Sequence, residues 1–125
     1  MLTNEINKEN VDLLVTNFYT KVLEDELISP FFIKKLGKKL DSKVWQKHIV
    51  LISNFWYTIA TGKGIYSGSP FAPHMQIEGL KRESFERWLK LFFETLDEIY
   101  VTDIANAFKE RSSIIASNFM RNLAL

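Results

Sequence analysis

The chain holds two histidines, His48 and His74, the side chains best suited to bind a metal or move a proton near neutral pH. His74 closes the run Pro70-Phe71-Ala72-Pro73-His74 ahead of Met75. Pro73 fixes its own φ and lacks an N–H, so it suits the first position of a helical turn and presents the next imidazole in a preset direction. Such a mount serves a metal ligand, and it serves a packed histidine equally well. His48 lies among apolar residues at helical spacing, where an imidazole is either a satisfied core residue or part of a site. The two are 26 positions apart, which does not match the short His-x3-His spacing of zinc sites. There is no cysteine, so disulfides, iron–sulfur clusters and thiolate-held metals are excluded, leaving His, carboxylate, Met and Tyr as ligands. Hydrolytic chemistry finds no Gly-x-Ser-x-Gly elbow and no Cys nucleophile, and no Gly-rich phosphate loop precedes a helix.

The elements that must position these residues are helical. Val11, Leu14, Val15, Phe18, Tyr19 and Val22 recur at three-and-four spacing after Asn7, predicting an amphipathic helix over 8–26 with Tyr19 facing the core. A buried tyrosine hydroxyl must find a partner or serve a site, since leaving it unsatisfied costs about 1–3 kcal/mol. Ser29-Pro30 breaks that helix, and Phe31-Phe32-Ile33 reads as a short aromatic turn ending near Gly37. Asp41 or Ser42 can cap the next helix, whose stripe runs Val44, Trp45, His48, Leu51, Ile52, Phe55, Trp56 and Ile59 until Gly62 ends it. Residues 62–73 carry three Gly and two Pro and read as an ordered loop, a length that in compact domains is often functional. A helix over 82–100 then buries Phe85, Trp88, Leu89, Phe92, Leu96 and Ile99, and a last one from Thr102-Asp103 carries Ile104, Phe108, Ile115, Phe119 and Leu123. No strand and no internal repeat is expected.

The 125 residues fit one domain, 1–125, with an ordinary globular balance of 46% apolar and 25% charged residues. A net charge of +1 argues against nucleic acid as the main partner. Six lysines crowd residues 34–47, either as a solvated rim or as a docking surface for an acidic partner. The aliphatic run Ile49-Val50-Leu51-Ile52 is too short to span a bilayer, and the start lacks a basic-then-apolar leader, so a cytoplasmic protein without membrane attachment is expected. Ten Phe, four Tyr and three Trp would suit a core that wraps something flat, and would equally fill an ordinary core.

Two imidazoles on separate elements, one on an apolar stripe and one on a rigid turn, suit a flat cofactor between them, and haem with one axial histidine is the natural candidate. Phe18-Tyr19, Pro30-Phe31-Phe32, Trp45-Gln46-Lys47-His48 with Asn54-Phe55-Trp56, Tyr66-Ser67-Gly68-Ser69-Pro70 to His74, and Trp88-Leu89-Lys90-Leu91-Phe92 together resemble the truncated haemoglobins, most closely the bacterial third group. The resemblance spans nearly the whole chain in order. It implies an all-α truncated globin fold, a two-over-two helical sandwich around haem b, with His74 as the iron ligand. It implies Phe32, Trp45, His48, Phe55, Tyr66 and Trp88 as further haem contacts, and Tyr19, His48, Ile52 and Trp88 lining the distal side where O2, NO or a similar ligand would bind. Relatives often carry a basic residue just before the proximal histidine, whereas Ala72-Pro73 stand here. Tyr66, Lys47 and Arg82 are then the candidates for the propionates. With no flavin or nicotinamide domain in the chain, nitric oxide or peroxide turnover would need an external electron donor. The competing reading is a cofactor-free helical interaction module whose aromatics are only core.

Replacing His74 by Ala is expected to abolish tight haem retention while leaving a largely helical, less stable apoprotein. Haem content after gel filtration and the ferrous absorption spectrum check this, and unchanged values would exclude His74 as the iron ligand.

Overall fold

A computed structural model describes residues 2–62 and 77–125. The expectations for the 63–76 loop, including Tyr66, Pro73 and His74, lie outside the described residues. Five α-helices make up the described fold: α1 (Lys8–Glu24), α2 (Ser29–Leu36), α3 (Lys43–Thr61), α4 (Arg82–Ile99) and α5 (Thr102–Asn122). None of them is long and apolar enough to cross a membrane. The only extended pairing among the described residues is a one-residue bridge of Thr3 with Tyr100, which ties the start of the chain to the α4–α5 corner.

Helix α1 starts at Asn7, whose side-chain oxygen accepts from Asn10 N at 2.9 Å while Asn10 returns the bond to Asn7 N at 3.1 Å. This reciprocal cap satisfies two N–H groups that a helix start leaves without partners. The Asn10 oxygen also accepts from the Tyr100 hydroxyl at 2.7 Å, which anchors the α1 start to the end of α4. One face of α1 is wholly buried, from Val11 through Leu14, Val15 and Phe18 to Val22, and it packs on both α3 and α4. Helices α4 and α5 form the second pair. Their contact uses a row of small residues, Ala105, Ser112 and Ala116, interleaved with Phe108 and Phe119. That row is displaced by one residue from the stripe that the larger side chains predict, because small residues let the two backbones approach.

Two expectations are corrected. The aromatic turn after Ser29-Pro30 is a helix, α2, with Pro30 in its first turn, where a missing N–H costs nothing. Its break from α1 is made by Asp25, whose carboxylate accepts from Leu27 N at 3.1 Å and Ile28 N at 3.0 Å and also pairs with Arg87 of α4 at 2.5 Å. The α3 stripe is also narrower than expected, since Val44 and Leu51 are about half exposed while Ile49 and Ser53 are buried. As expected, Ser42 caps α3, and Gly62 ends it in the left-handed conformation with φ 71°.

Removing the Asp25 carboxylate leaves the Leu27 and Ile28 N–H groups ahead of α2 and the Arg87 guanidinium without their acceptor. Asp25→Ala should destabilise the fold by about 2 kcal/mol, read as a lower urea midpoint with an unchanged slope.

Candidate functional site

Among the described residues the core divides into two apolar clusters. The larger runs through α1, α3 and α4 around Trp45, Trp56 and Phe92, and the smaller holds Phe85, Ala116 and Phe119 between α4 and α5. Between them lies a cavity of about 360 Å³, walled on one side by Tyr19, Ile52, Phe55 and Trp88 and on the other by Phe85, Ile115 and Phe119. A bundle that only filled its own interior would join two such clusters, because burial of each apolar Å² contributes roughly 25 cal/mol. Walls this apolar, facing one another across a gap, fit a flat hydrophobic group.

Among the described residues, the side chains on the walls that carry polar groups are Tyr19, Lys35, His48, Ser84 and Trp88. Tyr19 Oη lies 2.9 Å from His48 Nε2, so the phenol of α1 and the imidazole of α3 meet at the cavity surface. The rings are edge-to-face at 5.1 Å, with Trp45 5.1 Å from Tyr19 and 5.6 Å from His48. Burial pushes the Tyr19 hydroxyl far above its ordinary pKa, so it remains a hydrogen-bonding O–H at any physiological pH. Trp88 stacks on Phe92 at 5.3 Å and meets Phe18 edge-on at 5.5 Å, which fixes its indole plane on the wall. Among the described residues no acceptor takes its Nε1–H, and an indole can only donate.

Of the residues singled out from the sequence, Tyr19, Phe32, His48, Ile52, Phe55 and Trp88 are brought to this one cavity. Trp45 is not. It is completely buried, donates its indole N–H to the Gly37 carbonyl at 2.8 Å, and stacks behind Phe32 at 6.3 Å. Its place is to hold Phe32 and Tyr19 from behind. Gly37 can turn its carbonyl to meet this N–H because its φ of 85° is one that side-chain-bearing residues rarely adopt. Lys47 and Arg82 do not reach the cavity either: Lys47 is exposed, and Arg82 Nη2 donates to the Leu125 carbonyl at 2.9 Å. The cation on the cavity wall among the described residues is Lys35. Sequence reasoning missed it, along with the far wall of Phe85, Ile115 and Phe119, whose spacing read as ordinary core. His74 and Tyr66 lie outside the described residues.

The chain is 36% identical over 118 residues to the group 3 truncated hemoglobin ctb of Campylobacter jejuni subsp. jejuni serotype O:2, covering 94% of this chain and 91% of that protein. The chain belongs to the group 3 truncated haemoglobins. The fold agrees: the crystal structure of the group III truncated hemoglobin from Campylobacter jejuni superposes with a TM-score of 0.91 at 35% identity, over 98% of this chain and 95% of that one. No family model matches the sequence. In a truncated haemoglobin the α1/α3 and α4/α5 pairs are the two layers of the two-over-two sandwich. Membership in a family of haem globins sets aside the cofactor-free interaction module.

Burial of the phenols has a consequence for alkaline stability. Tyr19 and Tyr100 both have raised pKa values in the folded protein, caused by desolvation, against an ordinary value of 10.0. Their stabilisation is intact below pH 10 and is lost as pH rises beyond it, because the unfolded chain releases these protons first. Stability measured by denaturant should therefore fall above about pH 10, and Tyr19→Phe should flatten that fall.

Proposed function

We propose that this truncated haemoglobin binds O2 and related diatomic ligands at a haem b held between the two apolar clusters, with His74 as the iron ligand and Tyr19, His48 and Trp88 on the ligand side. The observation that carries this reading is the meeting of Tyr19 and His48 at 2.9 Å on the wall of a largely apolar cavity that Trp88 also lines. When bound, haem would supply a ferrous iron to which a diatomic ligand binds and at which it gains negative charge. The work of the chain is to hold that group and to aim donors.

Phe32, Phe55 and Ile52 supply apolar contact from α2 and α3. Trp45 keeps Phe32 and Tyr19 in place from behind. Lys35 is the cation positioned for a propionate. On the ligand side, the two tautomers of His48 have opposite effects. If Nε2 carries the proton it donates to Tyr19 Oη, and the phenol proton is then directed to the ligand. If Nε2 is bare it accepts that proton, and Trp88 remains as the donor. His48 is thus a positioning residue for the phenol.

Donors of this kind contribute roughly 0.5–1.5 kcal/mol each to a neutral acceptor and more to a charged one. Two of them would slow ligand release by on the order of a hundredfold. Retention of that degree favours chemistry on the held ligand, such as oxidation of nitric oxide or activation of peroxide, over carriage. Either turnover requires an external electron donor.

Tyr19→Phe or Trp88→Phe should raise the O2 dissociation rate about five- to thirtyfold, equivalent to about 1–2 kcal/mol. The double variant should be non-additive by about 0.5 kcal/mol or more if both donors serve one ligand. Stopped-flow dissociation kinetics decide the matter. An unchanged rate in Trp88→Phe would return Trp88 to the role of a space-filling core residue.

A further inference from the structure

Residues 34–47 carry a net charge of +5 from six lysines and Asp41, so the rest of the chain, at a total of +1, carries −4. All six lysines are exposed, and among the described residues none of them is in an ion pair. The fold gathers them. Lys34 and Lys35 end α2, Lys38 and Lys39 lie in the connection, and Lys43 and Lys47 stand in the first turns of α3. The bonds from Trp45 Nε1 to the Gly37 carbonyl and from Gln46 Nε2 to the Leu40 carbonyl, each 2.8 Å, fasten the connection onto α3.

At 100° per residue, Lys43, Val44, Lys47, Val50 and Leu51 fall within a third of the α3 circumference. Val44, Val50 and Leu51 are 53%, 57% and 51% exposed. The face is therefore mixed, with Lys43 and Lys47 standing between the exposed apolar side chains of Val50 on one side and Leu51 and Val44 on the other, and it reaches the cavity at two points, Leu51 from α3 and Lys35 from α2. Glu78 is the carboxylate near its edge, sharing a surface hollow with Lys34 and Lys35.

We propose that this face docks an acidic one-electron donor protein, and this rests on the reading that the cavity holds haem. A protein partner fits better than nucleic acid or membrane. The exposed Val44, Val50 and Leu51 offer contact that phosphates do not repay, and the negative remainder of the chain repels an extended polyanion. Lysines interspersed with a few exposed apolar side chains accelerate encounter more than they tighten it, which suits a donor that must leave after each turnover. With haem bound, the donor's anionic flavin hydroquinone would lose one electron to become the neutral semiquinone, and that electron would take the haem iron from ferric to ferrous. The proximity of the face to the cavity shortens that path.

The test uses the haem-loaded protein and an acidic flavodoxin as donor. Ferric protein is mixed with flavodoxin hydroquinone at about 20 and 200 mM salt, which shortens the screening length from roughly 20 to 7 Å. In parallel, oxidised flavodoxin is titrated onto the protein. The parent should show a reduction rate falling about tenfold or more with salt. The variant Lys34→Glu/Lys38→Glu/Lys43→Glu should lose about tenfold or more in both rate and affinity at low salt, with its Soret band and O2 dissociation rate unchanged. The corresponding triple Arg variant, which keeps the charge, should behave as the parent. A parent rate independent of salt, or a Glu variant as fast as the parent, overturns the proposal, as does tighter binding of the parent to phosphatidylglycerol vesicles than to flavodoxin. Failure of the parent to take up haem would instead overturn the haem reading, and the oxidised-flavodoxin titration would still decide for or against the docking face.

Discussion

The hydrogen bond between Tyr19 Oη and His48 Nε2, 2.9 Å long, joins α1 to α3 inside the molecule, and the site depends on it. A buried phenol without a partner would cost about 1–3 kcal/mol, so the pairing of Tyr19 with His48 constrains how α1 and α3 cross. Around it the aromatic rings of Phe18, Phe32, Trp45 and His48 all lie within 5.6 Å of the Tyr19 ring. This packing removes the freedom of the hydroxyl to wander and leaves it at the cavity wall. The same burial that raises its pKa keeps its proton available, so stability and ligand binding draw on one feature.

The second constraint is the division of the core. Most small helical domains collect their apolar residues in one continuous cluster. Here Phe85 and Phe119, stacked at 6.0 Å, belong to a separate cluster across the cavity from Trp56 and Trp88. Membership in the group 3 truncated haemoglobins explains the division, because a haem globin places its cofactor between helical layers. Helix α2 forms part of the cavity wall. Asp25 fixes the turn that leads into it, Gly37 ends it, and its Phe31, Phe32 and Lys35 line the cavity between those two points.

Much of this was legible in the residue pattern, and the failures have physical reasons. The faces of α1 and α4 are single stripes, so spacing alone put Tyr19 and Trp88 inside. Helix α3 is apolar around most of its circumference, and periodicity could not tell its three faces apart. Trp45 on the core side, His48 on the cavity side and Leu51 at the rim all read as one stripe. Ser29-Pro30 signalled a break correctly, but a proline in the first turn also begins a helix, and the turn that leads into it is set by the Asp25 carboxylate, which accepts from Leu27 and Ile28 ahead of that helix. Lys35 was hidden in a run of lysines whose types are the same and whose positions differ only in three dimensions. The proximal side, with His74, rests on the sequence and the family.

The central claim is that the two apolar clusters are the walls of one haem site. Titration of the purified apoprotein with haemin, followed by absorption and by tryptophan fluorescence together, tests it most directly, since Trp56 and Trp88 line the cavity and Trp45 lies just behind it. The account predicts saturation at one haem per chain, with a Soret band and strong quenching of the indoles reaching their end points together. A titration that does not saturate, or one that saturates without quenching the tryptophans, would contradict it.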